Sequence, residues 1–128
     1  ITETYFQRIS NTVIAGLHAL RERGVRIVMD DFGSGQSSLS RLHTLPFDVI
    51  KLDKQFAQHI AHPMVYAIVK AALAFAKEFG IELIAEGVET AEQCQVLQAL
   101  DCHLVQGFYF SHPQPLAHWL SASKAPSP

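Results

Sequence analysis

Apolar positions follow two different rhythms along this chain. Ser10-Asn11-Thr12 reads as a helix N-cap, and Val13, Ile14, Leu17 and Leu20 then recur at helical spacing as far as Gly24, a residue suited to a left-handed helix end. Val25 to Met29 is apolar apart from Arg26 and rich in β-branched residues, which predicts a strand. It stops at Asp30-Asp31-Phe32-Gly33-Ser34-Gly35, a loop punctuated by glycine. A short helical stretch through Leu39, Leu42 and Leu45, broken by Pro46, leads to a second strand from Phe47 to Leu52. Val65, Ile68, Val69, Ala72, Leu73 and Ala76 form the stripe of a helix from Met64 to Phe79, ended by Gly80. Ile81 to Ala85 is the third predicted strand. Thr90, with Gln93 three residues on, predicts a capping box that opens a helix to Leu100. His103 to Val105 is the fourth strand and Pro115 to Leu120 the closing helix, while the Ser/Pro/Ala-rich tail Ser121 to Pro128 is expected to fray.

Strand followed by helix, with nearly continuous apolar strands, predicts an α/β fold whose sheet is parallel and covered by helices. No linker or repeat divides the chain, so one domain is the simplest account. At 128 residues it is too short for a complete β/α barrel of about 250. It opens at Ile1-Thr2-Glu3-Thr4, without Met and inside what reads as a fold element, and is expected to be a fragment of a longer protein.

Composition narrows the function classes. Hydrophobic residues make up 48% and charged residues 17% of the chain, which supports a folded core and excludes a disordered one. A formal charge of −2 with no Lys/Arg run gives no footprint for duplex nucleic acid or an anionic membrane. No apolar run reaches the roughly 18 residues of a membrane-spanning helix, so no membrane contact is expected from this segment. Cys94 and Cys102 match no CxxC pattern and read as buried, inert thiols; the seven histidines form no HxxxH or HxH pair and read as scattered imidazoles. Phe108, Tyr109 and Phe110 could stack on a base, but aromatics that follow a strand are more often core.

In a parallel β/α fold, ligand groups gather at the C-terminal ends of the strands, where the βα loops converge. Asp30 and Asp31 end the first predicted strand, Lys51 and Asp53 the second, Glu86 and Glu89 the third and Gln106 the fourth. Adjacent carboxylates joined by a third from a neighbouring strand make the oxygen-rich site that Mg²⁺ or Mn²⁺ prefers, and a cation would relieve their repulsion. Each residue alone also fits a plain structural role, Asp30-Asp31 capping the turn and Lys51 in a surface ion pair. The repetition at four successive strands favours a site.

Four ordered strings carry a resemblance to a known family. Asp-Asp-Phe-Gly-Ser-Gly-Gln-Ser-Ser-Leu (30 to 39), Ile-Lys-Leu-Asp (50 to 53), Ala-Glu-Gly-Val-Glu-Thr (85 to 90) and Gln-Gly-Phe-Tyr-Phe-Ser-His-Pro (106 to 113) resemble EAL domains. The resemblance implies residues 1–120 as the C-terminal half of a (β/α)8 TIM-type barrel, with 121–128 a flexible tail. It also implies hydrolysis of cyclic di-GMP to linear pGpG with Mg²⁺ or Mn²⁺. Carried over by position, Asp30 binds and bridges the metals, Asp31 and Glu86 bind the second metal, and Lys51 contacts the nucleophilic water. Glu3 holds the loop from Asp30 to Gly35, including Gly33, while Asp53, Glu89 and Gln106 line the site.

The chain departs from the family pattern in Ser34 for Thr, Gln36 for Tyr and His112 for Lys or Arg, none of which removes a metal ligand. The Glu-Ala-Leu-type strand, the Asn strand and the first Glu of Glu-x-x-Glu do not occur in these residues, so three of the four first-metal ligands are expected upstream. The parent is then the enzyme, and the isolated fragment is expected to have little activity. The alternative is a degenerate EAL module that binds cyclic di-GMP or a protein without catalysis. Expected partners are cyclic di-GMP, a homodimer mate and an upstream sensory or GGDEF-like domain; self-association of an open half-barrel is a further expectation. The implied location is the bacterial cytoplasm, with any membrane tether supplied upstream.

Overall fold

A computed structural model of the chain describes residues 1–2, 10–35, 43 and 45–123. In chain order the elements are α1 (Asn11–Glu22), β1 (Val28–Phe32), β2 (Val49–Leu52), α2 (Lys54–Gln58), α3 (Pro63–Glu78), β3 (Glu82–Ala85), α4 (Ala91–Ala99), β4 (Leu104–Val105) and α5 (Leu116–Ser123). The strands form one sheet in the order β1-β2-β3-β4, and every pairing is parallel. Thr2 adds a parallel bridge to Asp30, on the side of β1 away from β2. Parallel neighbours need a crossover, and α3 and α4 supply those between β2, β3 and β4.

The helix ends follow from side-chain chemistry. His62 Nδ1 accepts from the Met64 N–H at 3.2 Å, and Pro63 takes the first helical position, where its missing N–H costs nothing. Thr90 and Gln93 close the predicted capping box on α4. Gly24 and Gly80, just past α1 and α3, have φ of +85° and +65°, as the stop signals required.

The core lies in two clusters. Leu52, Val69, Leu83, Ala85, Val88 and Leu97 anchor the larger one, between the sheet and α3 and α4. Ile27, Met29, Leu45, Phe47 and Ile50 form the other, with Ile14 and Leu17 of α1 against it. The large side chains buried to 1% exposure or less include Met29, Leu52 and Leu97; each is worth roughly 1.5–3 kcal/mol of transfer free energy.

Several expectations shift. The first strand begins at Val28, not Val25, which is exposed, and runs through Asp30 and Asp31 to Phe32 because Phe32 still pairs with Leu52. The second begins at Val49, after Phe47 has turned into the core. Lys54–Gln58 is helical where no helix was expected, and α5 continues through Ser123 into the stretch read as fraying. Phe108, Tyr109 and Phe110 are about half exposed rather than core, since β4 is the sheet's edge among the described residues and α5 buries none of its own. Glu3, Gln36, the helical stretch through Leu39 and Leu42, and residues 124–128 lie outside the described residues.

Candidate metal centre

The acidic pair owes its geometry to an irregularity in β1. Met29 pairs with Ile50 and Phe32 with Leu52, so three steps along β1 match two along β2. The extra residue is a bulge, and Asp31 within it adopts a left-handed backbone, φ +55°, while its N–H donates to Asp30 Oδ1 at 2.9 Å. Consecutive side chains of a regular strand face opposite sides of the sheet. The left-handed residue breaks that alternation, and carboxylate oxygens of Asp30, Asp31 and Glu86 lie within 4.8 Å of one another. A non-glycine residue there costs about 1–3 kcal/mol, a strain typical of functional positions.

Glu86 follows β3 and Lys51 stands within β2, whose residues Lys51 and Leu52 pair with Ile84 and Ala85. Lys51 Nζ is bonded to Glu86 Oε1 and lies 3.9 Å from Asp30 Oδ1. Lys51 and Glu86 side chains are only 21% and 18% exposed, which strengthens their attraction over that of a surface pair. Burial pulls the Lys51 ammonium toward deprotonation, but the hydrogen bond and charge of Glu86, with Asp30 and Asp31 behind it, outweigh burial and hold its pKa above the ordinary lysine value. Lys51 is therefore a fixed cation at neutral pH. Three carboxylates against one ammonium leave excess negative charge, and an all-oxygen donor set suits a hard divalent cation. The residues fit such an ion.

The remaining predicted residues are spread around this cluster. Asp53 caps α2, its Oδ1 accepting from the Gln55 N–H at 3.0 Å, and its own N–H donates to Phe32 O at 3.0 Å. Glu89 is exposed and accepts from Gln58 Nε2 at 3.5 Å. Gln106, also exposed, ties β4 to its neighbours through its backbone: its N–H donates to Ala85 O at 2.9 Å and its O accepts from Val88 N–H at 3.1 Å. With Phe108, Phe110, His112 and Trp119 it lines a cleft of about 340 Å³. Gly33, φ +91°, lies directly over the Phe56 ring, and Gly35 is exposed at the end of the described part of the loop.

Sequence reasoning missed α2 and what it touches. Gln55 Nε2 donates to Gly33 O at 2.6 Å, and Lys54 packs against Gly87, φ +74°. The signal available was Asp53 itself, a good N-cap residue directly after a strand. Cys94 and Cys102 are buried free thiols as expected, and burial pushes the Cys102 thiol up. No helix among the described residues is long and apolar enough to cross a membrane.

Comparison with known proteins agrees with this architecture. The family model described as EAL domain matches residues 1–113. The chain is 41% identical over 121 residues to the cyclic di-GMP phosphodiesterase RocR of Pseudomonas aeruginosa, covering 94% of this chain and 31% of RocR. The crystal structure of the EAL domain of Mycobacterium smegmatis DcpA matches with a TM-score of 0.89 and 36% identity, over 100% of this chain and 58% of that one. A manganese and cyclic di-GMP complex of Klebsiella pneumoniae BlrP1 matches with a TM-score of 0.82 and 38% identity, over 88% of this chain and 29% of that one. The chain spans less than a third of RocR and 16% of a Caulobacter vibrioides signaling protein to which it is 43% identical. Its parallel α/β architecture is of the TIM-barrel type, and the chain belongs to the EAL domain family, of whose domain it spans a part.

Proposed function

We propose that the protein carrying this chain hydrolyses one phosphodiester bond of cyclic di-GMP to give linear pGpG, with Mg²⁺ or Mn²⁺ held in part by Asp30, Asp31 and Glu86. The observation that carries this reading is the convergence of those three carboxylates within 4.8 Å, beside a lysine. RocR, similar over 94% of this chain, bears the name of a cyclic di-GMP phosphodiesterase, and BlrP1 was solved with manganese and cyclic di-GMP together. A divalent cation in such a site neutralises phosphate oxygens and lowers the pKa of bound water.

The chain's own residues divide the remaining work. Water adds to phosphorus, the P–O bond to the ribose 3′ oxygen breaks, and that oxygen leaves with a proton. Lys51, held against Glu86 and facing Asp30, offers a charge that orients the attacking water and the phosphoryl oxygens. Gln106 and the aromatic cleft beside it offer flat apolar faces and a polar edge to a guanine.

The test is turnover of cyclic di-GMP by the full-length protein with Mn²⁺, with pGpG resolved by chromatography. Asp31→Asn is expected to lower the rate by at least about 100-fold, since loss of a group one step behind a metal ligand already costs about 10–100-fold. Tight cyclic di-GMP binding with no pGpG formed would overturn the enzyme reading in favour of a binding module.

A further inference from the structure

The short helix α2 touches both chain segments that follow the acidic residues. On one side, Gln55 Nε2 donates to the carbonyl of Gly33 at 2.6 Å, two residues past Asp31. The Phe56 ring occupies the space that a Cβ on Gly33 would need. On the other side, Lys54 Cα and Cβ occupy the space that a Cβ on Gly87 would need, and Gly87 directly follows Glu86. Both glycines have positive φ, +91° and +74°, so each is required twice over, by conformation and by the close approach of α2. The helix is itself fixed by its Asp53 cap.

We infer that α2 is a clamp that sets the Asp30–Asp31 bulge in register with Glu86, and that Gln55 is its positioning residue. The inference rests on the reading of Asp30, Asp31 and Glu86 as metal ligands. A left-handed aspartate persists only where its surroundings hold it, and the Gln55 amide grips the loop immediately after it. Groups one step behind metal ligands commonly govern affinity by orienting them. Gln55 is exposed, so its side chain contributes through this hydrogen bond rather than through core packing.

The experiment is Mn²⁺ titration of the full-length protein without substrate, following the paramagnetic resonance of free Mn²⁺. Gln55→Met keeps the length and removes the donor; its Mn²⁺ affinity is expected to fall about tenfold at unchanged Tm, with faster amide exchange at Gly33 and Ser34. Asp31→Asn tests the ligand assignment separately. Should Asp31→Asn lose Mn²⁺ while Gln55→Met binds as tightly as the parent, the clamp is refuted and the ligand assignment stands.

Discussion

Lys51 occupies a position where two opposing effects can be weighed. Its side chain is about four-fifths withdrawn from water, which disfavours the ammonium, yet Glu86 bonds it and Asp30 faces it at 3.9 Å. Attraction wins, and the folded-state pKa lies above the unfolded one. The sign of the linkage follows: the pair's contribution to stability is complete through neutral and mildly alkaline pH and is lost only as pH climbs through the raised lysine value. No alkaline loss of stability between pH 7 and about 9 is therefore expected from Lys51 in the metal-free protein. Lys51→Met removes the cation that bonds Glu86, and kcat for cyclic di-GMP is expected to drop by about 100-fold or more. Urea midpoints of the metal-free parent from pH 7 to about 9 and a single kcat measurement on the variant check both; a midpoint that falls within that window in the parent but not in Lys51→Met would show that burial outweighs Glu86 at the lysine.

Elements differ in how openly the sequence declares them. α4 is legible because Thr90 and Gln93 state its start, and the bonds are there: Gln93 N–H to Thr90 Oγ1 at 3.2 Å and Thr90 N–H to Gln93 Oε1 at 3.2 Å. Gln93 Oε1 also accepts from Glu89 N–H at 2.8 Å, so the cap steadies the loop between Glu86 and α4. Thr90→Ala is expected to cost about 1 kcal/mol and Thr90→Ser only a few tenths, read from urea unfolding midpoints. Equal stability of the two variants would remove the hydroxyl from the account. β1 is less legible, since hydropathy ends a strand where Asp30 begins, whereas pairing continues to Phe32. α2 is nearly invisible, because five residues are too few for a helical period to register. The acids of the site could be read from their places at strand ends, but their convergence could not. It depends on a left-handed Asp31, a conformation that glycine advertises and that aspartate adopts only occasionally.

Across the whole molecule the two ends of the parallel sheet carry different polar chemistry. The C-terminal ends hold Asp30, Asp31 and Glu86 beside Lys51; the N-terminal ends are tied together by Asp48. Its Oδ2 accepts from Ile27 N–H at 2.8 Å, its Oδ1 from Arg21 Nε at 2.9 Å, and its carbonyl from Glu82 N–H at 3.0 Å, so one residue joins α1, β1 and β3 at the start of β2. The Ile27 hydrogen bond is the main reason its carboxyl pKa is lowered; partial burial opposes it, and Arg21 and Arg26 add to the lowering. A depressed folded-state pKa gives stability that is present above the unfolded carboxylate value and is lost as pH falls through the folded one. Asp48→Asn keeps the shape and removes the charge. The variant is expected to be less stable by about 1 kcal/mol at pH 7, a figure reduced for partial exposure of the pair. That gap should begin to narrow only as pH falls below the ordinary carboxylate value and should close as pH passes through the lowered folded-state one. Denaturant midpoints followed from pH 7 down through the acid range measure it. A gap that persists undiminished in acid would mean that the amide's shape, and not the lost charge, causes the instability. Mn²⁺ affinity of Asp48→Asn is expected to match the parent, since the binding face and the stabilising face lie at opposite ends of the strands.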